Sequence, residues 1–132
     1  MNSPHCSVLF FGRKASSPTT LKSRMKNCPP VAPDQVTYER RGPAAVLTID
    51  RQDRRNAVDG PTADALAEGY ERFEDDDEAR VLILTGAGGV AFCAGADLKA
   101  IDTLGPRLLM SGGPLGFTRR IATKPTIAAI SG

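Results

Sequence analysis

Between residues 44 and 85 the sequence changes its apolar period twice. Ala44-Ala45-Val46-Leu47-Thr48-Ile49-Asp50 reads as a strand. Asp59-Gly60-Pro61 then signals a helix start, since proline is tolerated in the first turn. Ala63, Leu66, Ala67, Tyr70 and Phe73 follow at steps of three and four, one apolar stripe of a helix. Arg80–Thr85 is a nearly continuous apolar run, the pattern of a strand buried on both faces. Strand, helix and strand in this order imply a parallel pair joined by a right-handed crossover. That unit constrains everything on either side of it.

Upstream, Val36-Thr37-Tyr38-Glu39-Arg40 alternates and reads as a further strand, and Gly42-Pro43 is a turn signal, so the two strands form a hairpin. Glu68 and Arg72 are spaced as a helical ion pair. Glu74-Asp75-Asp76-Asp77-Glu78 places acid at the negative end of the helix dipole and predicts fraying there; these carboxylates read as a solvated turn. Downstream, Asp102–Phe117 is a mixed segment rich in glycine and proline, either a movable pocket wall or a surface connection. Thr118–Thr123 reads as a helix end, broken by Lys124-Pro125, and Thr126–Ile130 as a fourth strand. A buried strand two residues from the last residue has the look of a fold cut part-way.

The stretch after the third strand, Ala91-Phe92-Cys93-Ala94-Gly95-Ala96-Asp97-Leu98-Lys99, is built of small residues and leads into a short helical pattern at about Asp97–Ile101. A helix start carries unpaired N–H groups at its positive end, which can hold a developing oxyanion. On this reading the backbone N–H of Ala96 faces a carbonyl oxygen. On the other, Gly95 only relieves strain in a tight strand-to-helix turn. Arg51-Gln52-Asp53-Arg54-Arg55-Asn56-Ala57-Val58 is a polar loop with three arginines, either a solvated surface or an edge that contacts phosphate through forked guanidinium groups. Thr85-Gly86-Ala87-Gly88-Gly89 follows a strand as a phosphate loop should, but lacks the Lys-Ser/Thr of a P-loop and the full GxGxxG spacing.

Composition removes several function classes. The chain has 132 residues, room for one domain, and no apolar run approaches the roughly 20 residues that span a bilayer. Its net charge of +2 arises in residues 1–33, which carry Arg13, Lys14, Lys22, Arg24 and Lys26 and no acid. The rest has 12 basic and 15 acidic residues, and tryptophan is absent, so nucleic acid is not the expected partner. Cys6, Cys28 and Cys93 make no disulfide framework, no Cys/His cluster offers a metal site, and His5 is the one histidine, so a nucleophile–histidine relay is not expected. Residues 1–33 read as a disordered basic extension; an organellar transit peptide or an over-extended start also fits. The domain is expected over 34–132, in the cytoplasm, or in mitochondria if the extension is a transit peptide.

Four motifs, in order, carry a resemblance. They are Arg54-Arg55-Asn56-Ala57-Val58, Arg80-Val81-Leu82-Ile83-Leu84-Thr85-Gly86, Ala91-Phe92-Cys93-Ala94-Gly95-Ala96-Asp97-Leu98, and Lys124-Pro125-Thr126-Ile127-Ala128-Ala129-Ile130-Ser131-Gly132. With the opening hairpin, residues 35–132 resemble the N-terminal half of the crotonase superfamily, the enoyl-CoA hydratase/isomerase family. The resemblance implies an α/β fold, the ββα-repeat spiral of the ClpP/crotonase kind, cut before the second oxyanion turn and the C-terminal helices. It implies an acyl-CoA thioester as substrate, with coenzyme A its only cofactor-like part, and trimeric or hexameric assembly in full-length members.

The resemblance also implies roles. The N–H of Ala96 would be the first of two oxyanion donors. Ala94, Gly95, Asp97 and Leu98 would line the CoA and acyl channel, partly through backbone atoms. Ala57 would sit by the adenine, and Arg54 or Arg55 near the CoA phosphates. The family's second donor and the hydratases' two glutamates lie beyond the Ile-Ser-Gly strand, and no carboxylate here stands at those positions. Gln52 stands where the family often has proline. The expected reaction is hydration of a 2-enoyl-CoA of the β-oxidation type. The alternatives are another crotonase activity (isomerase, thioester hydrolase or decarboxylase) and a non-catalytic acyl-CoA-binding fragment.

Overall fold

A computed structural model describes residues 35–132. The readings of residues 1–33, with His5, Cys6 and Cys28, lie outside the described residues. Alternation and the Gly42-Pro43 turn produce β1 (Val36–Arg41) and β2 (Ala44–Ile49), antiparallel with Tyr38 opposite Leu47. Helix α1 (Gly60–Asp75) crosses to β3 (Val81–Gly86), which lies parallel to β2 with Leu47 opposite Leu84. β4 (Thr126–Ala129) adds in parallel to β3, so the sheet runs β1-β2-β3-β4. The first three elements form one ββα unit, as the resemblance implies, and the fold is α/β.

One face of the sheet holds the core. Ala45, Leu47 and Ile49 of β2 and Leu82 of β3 pack under Ala63, Leu66, Tyr70 and Phe73 of α1, all at most 5% exposed. Burying each large side chain in that layer contributes about 1.5–3 kcal/mol. Asp59 caps α1 by accepting from the Thr62 N–H at 3.0 Å, which places the helix start where the Gly-Pro signal put it.

Several expectations need correction. β3 is not buried on both faces: Leu82 alone is buried, and Val81, Ile83, Leu84 and Thr85 are half-buried, because among the described residues α1 is the one long helix. β4 is exposed along its length and lies beside a cleft of about 240 Å³ lined by Leu47, Tyr70, Leu82, Leu84, Phe117 and Ala128. The C-terminus of α1 is capped where fraying was expected. The Lys124 ammonium donates to the Phe73 carbonyl at 2.8 Å and the Asp76 carbonyl at 2.7 Å, a cation where the dipole wants one. Thr118–Thr123 forms a turn and irregular chain and no helix.

Glu68 and Arg72 form no ion pair among the described residues; Arg72 instead stacks on the Tyr38 ring, 4.3 Å from its centre. The acidic run pairs with the hairpin and with the segment before β4. Arg40 meets Asp76 at 3.4 Å and Glu78 at 2.6 Å, and Glu74 accepts from Thr123. Those carboxylates therefore hold elements together at the start of β3, the opposite end of that strand from the small-residue motif.

Candidate functional site

The motif after β3 starts from a close crossing. A Cβ on Gly86 would lie 2.2 Å from the Phe92 carbonyl oxygen and 2.8 Å from that of Ala91, so glycine at the end of β3 lets the returning chain pass directly over it. The chain then turns at Gly95, whose φ of +85° suits glycine and few other residues. The expected helix at Asp97–Ile101 is shorter than a helix. It is a 3-10 turn, Leu98–Ala100, followed by α2, a single turn at Ile101–Leu104.

What orients Ala96 is a two-residue sheet rather than a helix dipole. Ala96 forms an isolated parallel bridge with Val58. The Val58 N–H donates to the Gly95 carbonyl at 2.8 Å, and the Asp97 N–H donates to the Val58 carbonyl at 2.9 Å. In a parallel bridge the residues on either side of the facing residue make the bonds, and its own N–H and C=O point to the opposite side. The Ala96 N–H accordingly donates to no group among the described residues. Its neighbours are spent: Gly95 N–H donates to the Cys93 sulfur at 3.4 Å and Asp97 N–H to Val58.

The partner side of the bridge is the arginine loop. Gln52–Arg54 is a 3-10 turn, and Arg55 and Asn56 both adopt left-handed backbone, φ +51° and +56°. Asparagine tolerates that region and then works as a clamp. Its amide Nδ2 donates to the carbonyls of Ala87 at 3.0 Å and Ala91 at 2.7 Å, and its Oδ1 accepts from the Arg51 N–H at 2.9 Å. Asn56 is 1% exposed and ties this loop to the turn before the motif.

Arg51 lies behind the bridge. Its Nη1 donates to the Ala57 carbonyl at 2.5 Å; its Nη2 meets Asp59 at 3.0 Å and Asp97 at 3.2 Å. All three side chains are nearly buried. Asp97 also accepts from the Lys99 N–H at 3.0 Å. That backbone bond first, and Arg51 after it, hold the Asp97 carboxyl below the usual carboxylate range against the opposing effect of burial.

The structure thus sorts the expected site residues into two groups. Ala94 and Leu98 are exposed, Gly95 and Ala96 half-buried, and the Arg54 and Arg55 side chains are exposed at the rim. Ala57 is buried with its carbonyl on Arg51, and the Asp97 carboxylate faces Arg51 and Lys99, so what Asp97 can offer a ligand is backbone. Arg51, Asn56 and Asp59 organise the site, although the sequence alone gives none of them an individual role in it. The left-handed tolerance of asparagine was a signal for Asn56; Arg51 and Asp97 meet across 46 residues, which no local pattern encodes.

Residues 39–132 match the family described as enoyl-CoA hydratase/isomerase. The chain belongs to the enoyl-CoA hydratase/isomerase family. It is 39% identical over 101 residues to an enoyl-CoA hydratase of Mycobacterium tuberculosis, covering 71% of this chain and 38% of that protein. It is 43% identical over 96 residues to a carnitinyl-CoA dehydratase of Salmonella enteritidis, covering 70% and 36%. The solved structure of an enoyl-CoA hydratase from Mycobacterium marinum superposes with a TM-score of 0.68 at 42% identity, over 74% of this chain and 38% of that one. A carnitinyl-CoA hydratase from Mycobacterium avium gives 0.67 at 41%, over 74% and 39%. The chain spans somewhat over a third of the length of these relatives.

Proposed function

We propose that this chain binds an acyl-CoA thioester and directs the Ala96 N–H at the thioester oxygen, as one donor of an oxyanion hole of the enoyl-CoA hydratase kind. The observation that carries the reading is the outward, unspent N–H of Ala96 on a backbone whose flanking bonds are all made. Addition of water to a 2-enoyl thioester passes negative charge onto that oxygen as an enolate. A preset donor there is worth roughly 3–4 kcal/mol of barrier because it needs no reorganisation. Ala94, Gly95 and Leu98 would flank the thioester, and the exposed guanidinium groups of Arg54 and Arg55 would meet the CoA phosphates.

Water addition also needs a group to move protons. The carboxylate beside the donor, Asp97, has one oxygen on Lys99 N–H and the other on Arg51, which suits a scaffold and not a base. The reading for this chain is therefore acyl-CoA binding with a preset donor, and hydration is the family reaction that the donor serves. The relative named a dehydratase favours a second reading of the same site, the elimination direction, which forms the same enolate.

Titration with crotonyl-CoA tests the proposal. Saturable binding that weakens several-fold in an Arg54→Ala, Arg55→Ala double variant is expected, and binding that does not saturate overturns it. Following the loss of the enoyl thioester absorbance in the same samples separates turnover from binding alone.

A further inference from the structure

Ala96 can present its N–H in one direction only if the two short segments of the bridge, 57–59 and 95–97, keep their alignment. Two hydrogen bonds make that bridge; left-handed backbone at Arg55 and Asn56 precedes one segment, and left-handed Gly95 opens the other. So small an element does not hold itself in place. One side chain touches it on three of its four flanks. The Arg51 guanidinium binds the carbonyl of Ala57 and the carboxylate of Asp59, the residues on either side of Val58, and the carboxylate of Asp97, the residue after Ala96. A planar fork can do this with fixed angles, and an ammonium cannot.

We propose that Arg51 is the positioning residue of the site: it fixes the direction of the Ala96 N–H and so sets the preference for an acyl-CoA thioester over free coenzyme A. The proposal rests on the reading of Ala96 as a donor to the thioester oxygen. Arg51 acts through the protein and not on a ligand, since its side chain is only 10% exposed and both terminal nitrogens already donate to protein acceptors. Asp59 links the same device to the fold, because its other oxygen caps the first turn of α1. The aim of the donor is thereby tied to the docking of the helix that covers the core.

The test is a pair of calorimetric titrations, with butyryl-CoA and with free coenzyme A, on the wild-type chain, on Arg51→Lys and on Asp97→Asn. The two ligands share the CoA moiety and differ in the thioester carbonyl. The wild type is expected to prefer the thioester by about five- to tenfold, the reach of one added hydrogen bond. Arg51→Lys keeps the charge and most of the volume; it should leave the affinity for free coenzyme A unchanged and bring the preference close to one. Asp97→Asn breaks one arm of the clamp, should lower the preference part-way, and decides the matter if Arg51→Lys does not fold. A preference retained in a folded variant overturns the proposal, as does an equal loss for both ligands, which is what a merely structural arginine would give. A wild type with no preference has a separate meaning: the donor reading of Ala96 fails, and this proposal with it.

Discussion

At the scale of single residues, the account depends on which backbone groups are spent and which are not. Ala96→Pro removes an N–H that no protein group uses, so the variant should fold with little loss of thermal stability while losing the preference for a thioester. A large drop in melting temperature would show either that the N–H has an internal acceptor or that the bridge does not take the fixed φ of proline next to Gly95. Gly95→Ala is the contrasting case. Its φ of +85° strains any side chain, and the expected cost is about 1–2 kcal/mol of stability, read from denaturant unfolding. Asp97 makes a pH prediction. Its carboxyl is held below its ordinary value in the folded protein, so its contribution is present above the unfolded pKa and is lost as pH falls through the folded one. The gap in melting temperature between wild type and Asp97→Asn should be open at neutral pH and close as the pH is taken below about 4. A gap that stays constant would mean that the charge of Asp97 contributes nothing. These residues were legible unequally. Ala96 stands out in the sequence as a small residue beside a strand, but what orients its N–H is a two-residue bridge and not a helix dipole, and such a bridge leaves no periodic trace in a sequence.

At the scale of elements, local signals predicted local structure. The β1–β2 hairpin follows from alternation about Gly42-Pro43, and α1 from an apolar stripe preceded by Asp59-Gly60-Pro61. Where the sequence misled, the deciding partner was distant. The acidic end of α1 argues for fraying, and Lys124, 51 residues after Phe73, caps it. Glu68 and Arg72 have helical ion-pair spacing, and the Tyr38 face on β1 takes Arg72 instead. Lys124→Met should therefore destabilise the fold by about 1–2 kcal/mol, the worth of charge-assisted bonds at a helix C-terminus, with protection from hydrogen exchange lost first in the last turn of α1. Unchanged protection there would show that the cap is incidental. Asn56 belongs to this scale too, since its three bonds join the arginine loop to the turn after β3.

At the scale of the whole molecule, the described residues form a ββα unit and two further parallel strands, with one sheet face under α1 and β4 exposed at the edge. That arrangement belongs to the part of the chain that matches the enoyl-CoA hydratase/isomerase family, and the fold class was readable from the order of four motifs. The coverage of one sheet face was not, since an apolar run such as Val81–Leu84 records what a strand can bury and not what is present to bury it. On the proposed reading, Ala96 aims a free backbone donor at a thioester oxygen. The most direct measurement is the proton shift of the Ala96 amide in a 15N-labelled chain as butyryl-CoA is added, with free coenzyme A as the control. The account predicts a downfield movement of that resonance with the thioester alone, while the Gly95 and Asp97 amides, already bonded within the protein, move little. An Ala96 amide that responds equally to both ligands, or to neither, would contradict it.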